Sequence, residues 1–311
     1  MRGPYARDVI EVPEELAASR SACDGERGRA FVAALPGLAE RYLEEWGLRR
    51  DGAAMWGMCA LVLPVVREAD GRRGALKLQA VDEETAGEPV ALRAWGEAGA
   101  GAVELLGHDA ATGAMLLERL DERRPLTGVE DAREAVRVLA GVLARLVSVP
   151  APVGLRRLGD AAARMLREAP GAVEALVDES ERRLLLDCAG AVREVAAEPG
   201  DRLLHWDLHY GNVLAGRAEE GRAGAWVALD PKPLAGDPGF ELFPALDSRF
   251  DVTEMWWRFD LLTDVLDLDR ERARAWTLGR VLQNGLWGIR GGALRLPADH
   301  AEIARRLLGR N

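Results

Sequence analysis

Lysine is almost absent from this chain. Of its 41 basic residues only Lys77 and Lys232 are lysine, and all the others are arginine. A chain with this bias uses arginine wherever a generic positive charge suffices, so a lysine indicates a place that needs a compact point charge, as phosphate groups do. Both lysines are therefore candidate binding residues.

The chain also lacks an excess of positive charge and long apolar runs. Its net charge is −10 and its pI about 5.1, which argues against a nucleic-acid partner because phosphate backbones bind to basic patches. No apolar run approaches the roughly 20 residues of a membrane-spanning helix, and residues 1–20 are too acidic and too interrupted for a signal peptide. We expect a cytoplasmic protein without a membrane partner, and the sequence leaves its oligomeric state open.

Cysteine and histidine are scarce, and several common catalytic motifs are missing. Cys23, Cys59 and Cys188 are odd in number and far apart, so we expect reduced thiols rather than a disulfide framework. The four histidines form no metal-binding pairs with cysteine, and G-x-S-x-G, Walker A and H-E-x-x-H are absent. These absences argue against a zinc site and against a P-loop enzyme.

The segment Leu203–Leu214 carries the densest set of chemically useful side chains. Apolar pairs flank His205, Asp207, His209 and Asn212. The spacing H-x-D-x-x-x-x-N supplies a carboxylate that orients an attacking hydroxyl and an amide oxygen that holds magnesium, which are the groups that phosphoryl transfer requires. We predict Asp207 as the catalytic base and Asn212 as a metal ligand. The alternative interpretation is a polar hairpin tip without a catalytic role.

A second carboxylate follows the next apolar strand. Ala225–Leu229 is a short apolar run that ends in Asp230-Pro231-Lys232, where a second magnesium-binding carboxylate is expected. Protein kinases have D-F-G at this point and A-P-E later, and neither is present. We predict Asp230 as a metal ligand in an enzyme that is not a protein kinase. Taken alone, Asp-Pro is an ordinary start of a turn.

Lys77 lies in the strand-like run Gly74–Leu78, and Glu88 opens a helical segment eleven residues later. A glutamate in this place pairs with the lysine and holds it toward nucleotide phosphates in kinases. The alternative for Lys77 is a lysine that protects an edge strand. Further along, a strand runs into Glu118-Arg119-Leu120, where an edge could present backbone groups to adenine. We therefore predict Glu118 and Leu120 as nucleotide-binding residues at a hinge.

The predicted elements place mixed strands before helices. The 311 residues, 48% of them hydrophobic, provide ample material for a core. We predict an α+β fold with a nucleotide-binding lobe over residues 1–119, built on a mixed or antiparallel sheet, and a mainly helical catalytic and substrate-binding lobe over residues 120–311. The elements are a helix over Val12–Glu45 broken at Pro36, strands over Met58–Val66, Gly74–Leu78, Ala102–Leu106 and Ala114–Leu117, and helices over Glu88–Glu97, Val129–Leu146 and Gly171–Glu198.

Acidic residues are concentrated in the last third of the chain. Residues 230–271 contain eleven acidic and four basic side chains. A cleft walled by carboxylates would concentrate a cationic substrate. Asp247, Asp251 and Glu254 are the predicted substrate-binding residues, because they follow the metal-binding Asp230 at short distance.

Two alternatives remain for this acidic stretch. Asp260, Asp264 and Asp267 have helical spacing and could form a solvated helix face with no ligand. The tryptophans could form the floor of a cation site or simply belong to the core. These tryptophans are Trp256, Trp257, Trp276 and Trp287.

With Lys77, Glu88, H-W-D-L-H-Y-G-N and D-P-K in this order, the chain resembles the aminoglycoside phosphotransferase family, in particular its streptomycin 6-kinases and hydroxyurea phosphotransferases. The resemblance implies a two-lobed protein-kinase-like fold, ATP with Mg²⁺, and the roles predicted above for the matching residues. The sequence departs from related kinases at Trp206, where glycine is common, and at Glu241, where aspartate is common.

The expected function is ATP-dependent O-phosphorylation of a small molecule. Since a polycationic sugar can exploit carboxylates, the acidic stretch favours streptomycin or a related aminoglycoside, and the activity would confer antibiotic resistance. Hydroxyurea or another small hydroxylated compound is the alternative acceptor. An alternative of another class is a regulatory module that binds ATP without catalysis.

Overall fold

The computed structural model of the chain describes residues 10–57, 59–218, 221–222 and 224–309. It divides into two units. The first contains the chain up to Pro89 together with Val103–Arg119, and the second contains Val90–Ala102 and everything from Leu120 onward. The main division thus falls between Arg119 and Leu120, and the segment Val90–Ala102 groups with the second unit.

The first unit is built on a six-stranded sheet in which all neighbouring strands pair antiparallel. The strands are β1 (Leu48–Arg50), β2 (Met55–Trp56), β3 (Ala60–Arg67), β4 (Arg73–Gln79), β5 (Leu105–His108) and β6 (Met115–Glu118). Their order in the sheet is β1-β3-β4-β6-β5, with β2 also paired to β3. A turn at Asp70-Gly71 joins β3 to β4, and Arg67 holds the Asp70 carboxylate with two hydrogen bonds. The predicted start of β3 at Met58 lies outside the described residues.

Helix α1 (Glu14–Glu45) packs on this sheet through Leu35, Ala39 and Tyr42, which are fully buried. The predicted break at Pro36 is wrong. The helix is interrupted instead at Gly25, whose φ of 56° lies in the left-handed region that favours glycine. Pro36 loses one backbone hydrogen bond, and the burial of its neighbours Leu35 and Ala39 keeps the helix continuous there.

The second unit is mainly helical. Its central helix, α8 (Arg270–Arg290), contacts α4 (Leu158–Ala172), α5 (Glu179–Val195) and α9 (Ala298–Leu307). Its helices are α2 (Glu88–Glu97), whose first two residues belong to the first unit, α3 (Ala132–Val147), α4 (Leu158–Ala172), α5 (Glu179–Val195), α6 (Phe243–Asp247), α7 (Met255–Val265), α8 (Arg270–Arg290) and α9 (Ala298–Leu307). Its strands are β7 (Asp121–Pro125), β8 (Arg156–Arg157), β9 (Arg202–Leu204), β10 (Val213–Ala215), β11 (Trp226–Ala228) and β12 (Leu234–Gly236).

Three predicted segments have different bounds in the structure. In two of them, a capping side chain sets where a helix begins. The continuous helix over Gly171–Glu198 is wrong: α4 ends at Ala172, and α5 begins after Asp178, whose carboxylate accepts hydrogen bonds from two backbone N–H groups of the first turn. Similarly, α3 begins after the cap Asp131 rather than at Val129. The strand predicted from Ala102 begins only at Leu105.

The alternative of one acidic helix face formed by Asp260, Asp264 and Asp267 is wrong for Asp267. Helix α7 ends at Val265, and Asp267 has a φ of 52° in the turn that follows. Asp267 therefore does not continue the face of Asp260 and Asp264.

None of the helices within the described residues is both long and apolar enough to cross a membrane. Cys23, Cys59 and Cys188 are free thiols.

Two three-stranded sheets hold the loops that carry the predicted catalytic residues. In one, β10 pairs antiparallel with β11 and β7, and in the other, β12 pairs antiparallel with β9 and parallel with β8. The loop of residues 205–212 runs from β9 to β10, and the loop of residues 229–233 runs from β11 to β12. Because β9 pairs with β12 and β10 with β11, the two loops pass side by side from one sheet to the other in opposite directions.

Candidate active site

His205 joins the two loops from the inside. Its Nε2 lies 3.0 Å from the carbonyl oxygen of Leu229, and its Nδ1 accepts a hydrogen bond from the backbone N–H of Asp207 at 3.3 Å. Because a carbonyl oxygen can only accept, Nε2 carries the proton and Nδ1 does not. Complete burial lowers the pKa of His205 to about 4. The imidazole is therefore neutral at physiological pH and fixes Asp207 relative to the end of β11.

Trp206 has a backbone conformation that normally requires glycine. Its φ of 66° is in the left-handed region, which costs about 1–3 kcal/mol for other residues. Contacts on every side offset this cost. The backbone N–H donates to Glu241 at 2.6 Å, the indole N–H donates to Gln283 at 3.0 Å, and the guanidinium groups of Arg156 and Arg280 lie 4.2 and 5.5 Å from the ring. Tryptophan can therefore occupy a position where related kinases often have glycine.

Asp207, the predicted base, is partly exposed and lies beside a cation. Its Oδ2 is 3.2 Å from Nζ of Lys232. The side-chain amide of Asn212 donates to the backbone carbonyl of Asp207 at 2.8 Å. This bond uses the NH₂ group of Asn212 and not its amide oxygen.

The two predicted metal ligands, Asn212 and Asp230, lie at the same end of the paired strands β10 and β11. The backbone N–H of Leu229 donates to the carbonyl oxygen of Asn212 at 3.0 Å, so Asp230 comes directly after the residue that faces Asn212. Asp230 has a φ of 59°, which turns the chain sharply at the end of β11. An amide oxygen and a carboxylate are the hard oxygen donors that Mg²⁺ prefers, so the residues present fit this ion.

In the first unit, Lys77 and Glu88 make the contact that the sequence predicted. Nζ of Lys77 lies 2.7 and 2.8 Å from the two carboxylate oxygens of Glu88, and Gln79 donates to the same carboxylate at 2.6 Å. Both charged side chains are buried. The alternative of an edge-strand lysine is wrong, because β4 lies between β3 and β6. A lysine held in this way is suited to meet phosphates.

Glu118 and Leu120 are both buried. Glu118 is the last residue of β6, its backbone N–H donates to the carbonyl oxygen of Glu104 at 2.9 Å, and its carboxylate accepts from the backbone N–H of Glu104 at 3.0 Å. The carboxylate of Glu118 thus turns back onto its own unit. Leu120 lies in the short connection between β6 and β7.

A cavity of about 430 Å³ in the second unit opens onto Asp207. Its wall contains Asp247, which the sequence analysis selected, and does not contain Asp251 or Glu254. Side chains of both charge signs line it, including Asp207, His209, Tyr210, Asp247, Arg249 and Arg280. The charged groups on the wall, two carboxylates and two guanidinium groups, are therefore balanced, and the cavity is not walled by carboxylates alone.

Five carboxylates of the acidic stretch have partners elsewhere in the fold. Glu254 forms a two-bonded ion pair with Arg133 at 2.8 and 2.9 Å, and Asp251 accepts hydrogen bonds from Thr253. Other members pair with arginines or cap a helix: Asp237 with Arg272, Asp260 with Arg270, and Asp269 at the start of α8. None of these five residues lines the cavity at Asp207. Trp276 is fully buried in the core.

Local sequence reasoning did not find several residues of the site. Arg249 and Arg280 line the cavity but carry no local signal, because arginine is the commonest cation of this chain. Glu241 had a weak signal in its place within G-D-P-G-F-E. Lys232 had the stronger signal of lysine scarcity, yet its contact with Asp207 could only be seen in the structure.

Comparisons with known proteins identify relatives of this chain in sequence and in structure. Residues 45–292 match the family model for aminoglycoside/hydroxyurea antibiotic resistance kinases. A hydroxyurea phosphotransferase of Kitasatospora aureofaciens is 60% identical over 97% of this chain and 87% of its own length, and a streptomycin 6-kinase of Streptomyces glaucescens is 55% identical over 97% and 98%. The crystal structure of aminoglycoside phosphotransferase APH(4)-Ia with ADP and hygromycin B has a TM-score of 0.60 at 13% identity, over 87% of this chain and 97% of that one.

The solved structure shows the fold, which is that of the aminoglycoside phosphotransferases, and it confirms the predicted α+β kinase-like architecture. The identities of 55–60% over nearly the whole chain show more than the fold. This chain belongs to the family of aminoglycoside/hydroxyurea antibiotic resistance kinases and is a phosphotransferase that acts on a hydroxyl group.

Proposed function

We propose that this enzyme transfers the γ-phosphoryl group of ATP to a hydroxyl group of streptomycin or a closely related aminoglycoside, and thereby confers resistance. The observation that carries the proposal is the cavity that opens onto Asp207. Its volume of about 430 Å³ lies in the range of sites for drug-sized ligands. Such a cavity is far larger than hydroxyurea requires, and Asp247 on its wall can receive a guanidinium group.

In the proposed reaction, the acceptor hydroxyl gives its proton to the carboxylate of Asp207 as its oxygen forms a bond to the γ-phosphorus, and the bond to the leaving ADP oxygen breaks. His205 keeps Asp207 in position through the backbone hydrogen bond at 3.3 Å. Asn212 and Asp230 would hold Mg²⁺, which neutralises charge on the phosphates when bound. Lys77, oriented by Glu88, would contact the phosphates, and Glu118 and Leu120 would lie near adenine.

We propose three substrate-binding residues and rank Asp247 above Asp251 and Glu254. Asp247 is a cavity residue. Glu254 would have to give up its ion pair with Arg133, and Asp251 its hydrogen bonds with Thr253. Asp247, whose Oδ1 lies 3.4 Å from Nε2 of His300, is the principal candidate because it lines the cavity. A cytoplasmic location is part of this proposal, since ATP is available there.

Hydroxyurea is the second candidate acceptor, and two observations favour it. A relative named hydroxyurea phosphotransferase shares 60% identity with this chain. In addition, Arg249 and Arg280 on the cavity wall offset the charges of Asp207 and Asp247, so the cavity does not select a polycation by charge alone.

One screen separates these possibilities. Purified enzyme with ATP and Mg²⁺ is given streptomycin, other aminoglycosides or hydroxyurea, and ADP release is measured together with the mass of the product. We expect a product 80 Da heavier for streptomycin, the mass of one added phosphoryl group, and none with Asp207→Asn, whose nucleotide affinity should remain within about twofold. Turnover of hydroxyurea with none of streptomycin would refute the principal proposal. ATP binding without turnover of any acceptor would favour a regulatory module.

A further inference from the structure

Lys232 is fixed beside the predicted base by the same loop that holds that base. Its backbone N–H donates to the carbonyl oxygen of His205 at 3.0 Å, and its own carbonyl oxygen accepts from Arg156 at 3.2 Å. Its Nζ lies 3.2 Å from Oδ2 of Asp207, and the two side chains are 33% and 26% exposed. The contact is thus anchored in the backbone, and both side chains are partly accessible.

The choice of lysine at this point is informative. Arginine supplies every other cation of the chain except Lys77, and Lys77 also lies on a carboxylate of the predicted site. An arginine facing Asp207 would favour a flat, two-bonded pair with its carboxylate. An ammonium group has three donors in a tetrahedral arrangement, so one N–H on Asp207 is compatible with another on a second anion.

The geometry of phosphoryl transfer places such an anion within reach. A hydroxyl bound to Asp207 lies about 2.6–3.2 Å from the carboxylate, and the phosphorus that it attacks lies about 3–3.5 Å beyond the hydroxyl oxygen. A cation that touches Asp207 on the side of the acceptor hydroxyl can then reach the non-bridging oxygens of the γ-phosphoryl group. Negative charge on these oxygens is what a kinase must stabilise in the transition state.

We propose that Lys232 is a catalytic residue whose ammonium group donates hydrogen bonds to Asp207 and to the γ-phosphoryl group as that group moves to the acceptor. This inference rests on the proposed phosphoryl transfer. Lys232 stays protonated throughout: the acceptor proton goes to Asp207, the bond from the acceptor oxygen to phosphorus forms, and the bond from phosphorus to the β–γ bridging oxygen breaks, with its electron pair left on ADP.

The first test measures binding and needs no acceptor. Calorimetry compares the affinities of wild type and Lys232→Met for the ATP analogue AMP-PNP and for ADP, both with Mg²⁺. We expect the variant to lose about tenfold or more of the preference for the analogue over ADP, a loss typical of one charged contact, while ADP affinity changes less than about twofold. Lys232→Gln provides a polar second variant, and Arg270→Met, in an exposed ion pair with Asp260, is the matched control.

The second test measures turnover with whichever acceptor the wild type uses. We expect Lys232→Met to lower kcat by about 10²–10³-fold, as the loss of one transition-state donor does, with the KM for ATP raised by about as much as the affinity for AMP-PNP falls, and Lys232→Arg to recover only part of kcat. A lowered kcat with an unchanged preference for AMP-PNP over ADP would reduce Lys232 to a residue that positions Asp207 and would overturn the phosphoryl contact. If the wild type turns over no acceptor, the proposed function fails, and the binding test still decides whether Lys232 meets the γ-phosphate.

Discussion

Glu241 accepts a hydrogen bond of 2.6 Å from the backbone N–H of Trp206, and both residues are buried. The second carboxylate oxygen of Glu241 is buried without a hydrogen-bond partner among the described residues. One oxygen therefore holds the loop of residues 205–212, while the other is buried without a hydrogen bond. This imbalance affects how the stability of the protein depends on pH.

Burial raises the pKa of Glu241 from 4.5 to about 7. The folded protein thus keeps a proton that the unfolded chain releases, so stability from this group is fully present below pH 4.5 and is lost as pH rises to about 7. The loss is on the order of 3 kcal/mol. Glu241→Gln should abolish this loss, so the variant should gain stability relative to wild type between pH 4.5 and 7, as measured by urea unfolding at several pH values. Glu97→Gln, in the exposed part of α2, serves as the control, and a difference that does not change with pH would contradict the assignment.

The contribution of His205 to the pH dependence of stability has the opposite sign. Its folded pKa of about 4 lies below the ordinary 6.5, so stability falls as pH drops from 6.5 to 4. Between pH 4.5 and 6.5 the contributions of His205 and Glu241 oppose each other at about 1.4 kcal/mol per pH unit each. With Glu241 replaced by glutamine, the slope of His205 should therefore emerge in this window.

The left-handed backbone of Trp206 predicts an unusual order of substitutions. Trp206→Ala should lose about 3–5 kcal/mol of unfolding free energy, because it removes a buried indole. Trp206→Gly should be more stable than Trp206→Ala by about 1 kcal/mol, since glycine is not strained at a φ of 66°. At helical positions glycine is less stable than alanine. Urea unfolding of the two variants gives the comparison, and an alanine variant equal to or better than glycine would mean that the backbone relaxes.

Lys77 and Glu88 should behave as one unit. With Nζ 2.7 Å from the carboxylate in a buried site, loss of either charge removes the opposite charge that offsets the burial of the other. Lys77→Met and Glu88→Gln should each lower kcat/KM for ATP, and the double variant should lose much less than the sum of the two losses. Steady-state kinetics at varied ATP concentration are measured for wild type, both single variants and the double variant, with Glu97→Gln again as the control on α2. Additive losses would show that the pair does not act in nucleotide use.

Asp247 should affect the acceptor and not the nucleotide. Because it lines the cavity that opens onto Asp207, Asp247→Asn should raise the KM for a cationic acceptor by about fivefold or more while the KM for ATP stays constant. Glu254→Gln provides a comparison within the same acidic stretch, and its smaller effect is expected from its ion pair with Arg133. Equal effects of the two variants would assign both carboxylates to the substrate.

Spacing along the chain predicted much of the site because phosphoryl transfer needs a few polar groups at short intervals. The segment from His205 to Asn212, Asp230 after its strand, and the pairing of Lys77 with Glu88 could all be read in this way. Helices with a clear apolar period were predicted with errors at their ends, where a capping side chain such as Asp178 decides the boundary. The substrate side could not be read, because partners such as Arg133 and Glu254 are 121 residues apart.

The sequence by itself thus determined the α+β kinase-like class and the chemical identity of the predicted catalytic, metal-binding and phosphate-binding groups, because these depend on residue type and local order. Tertiary structure alone decided which acidic residue reaches the cavity and what Lys232 contacts. Lys232 meets Asp207 because β9 pairs with β12 and β10 with β11, which brings two loops together. Such pairing depends on contacts between distant segments, and no local pattern of residues records it.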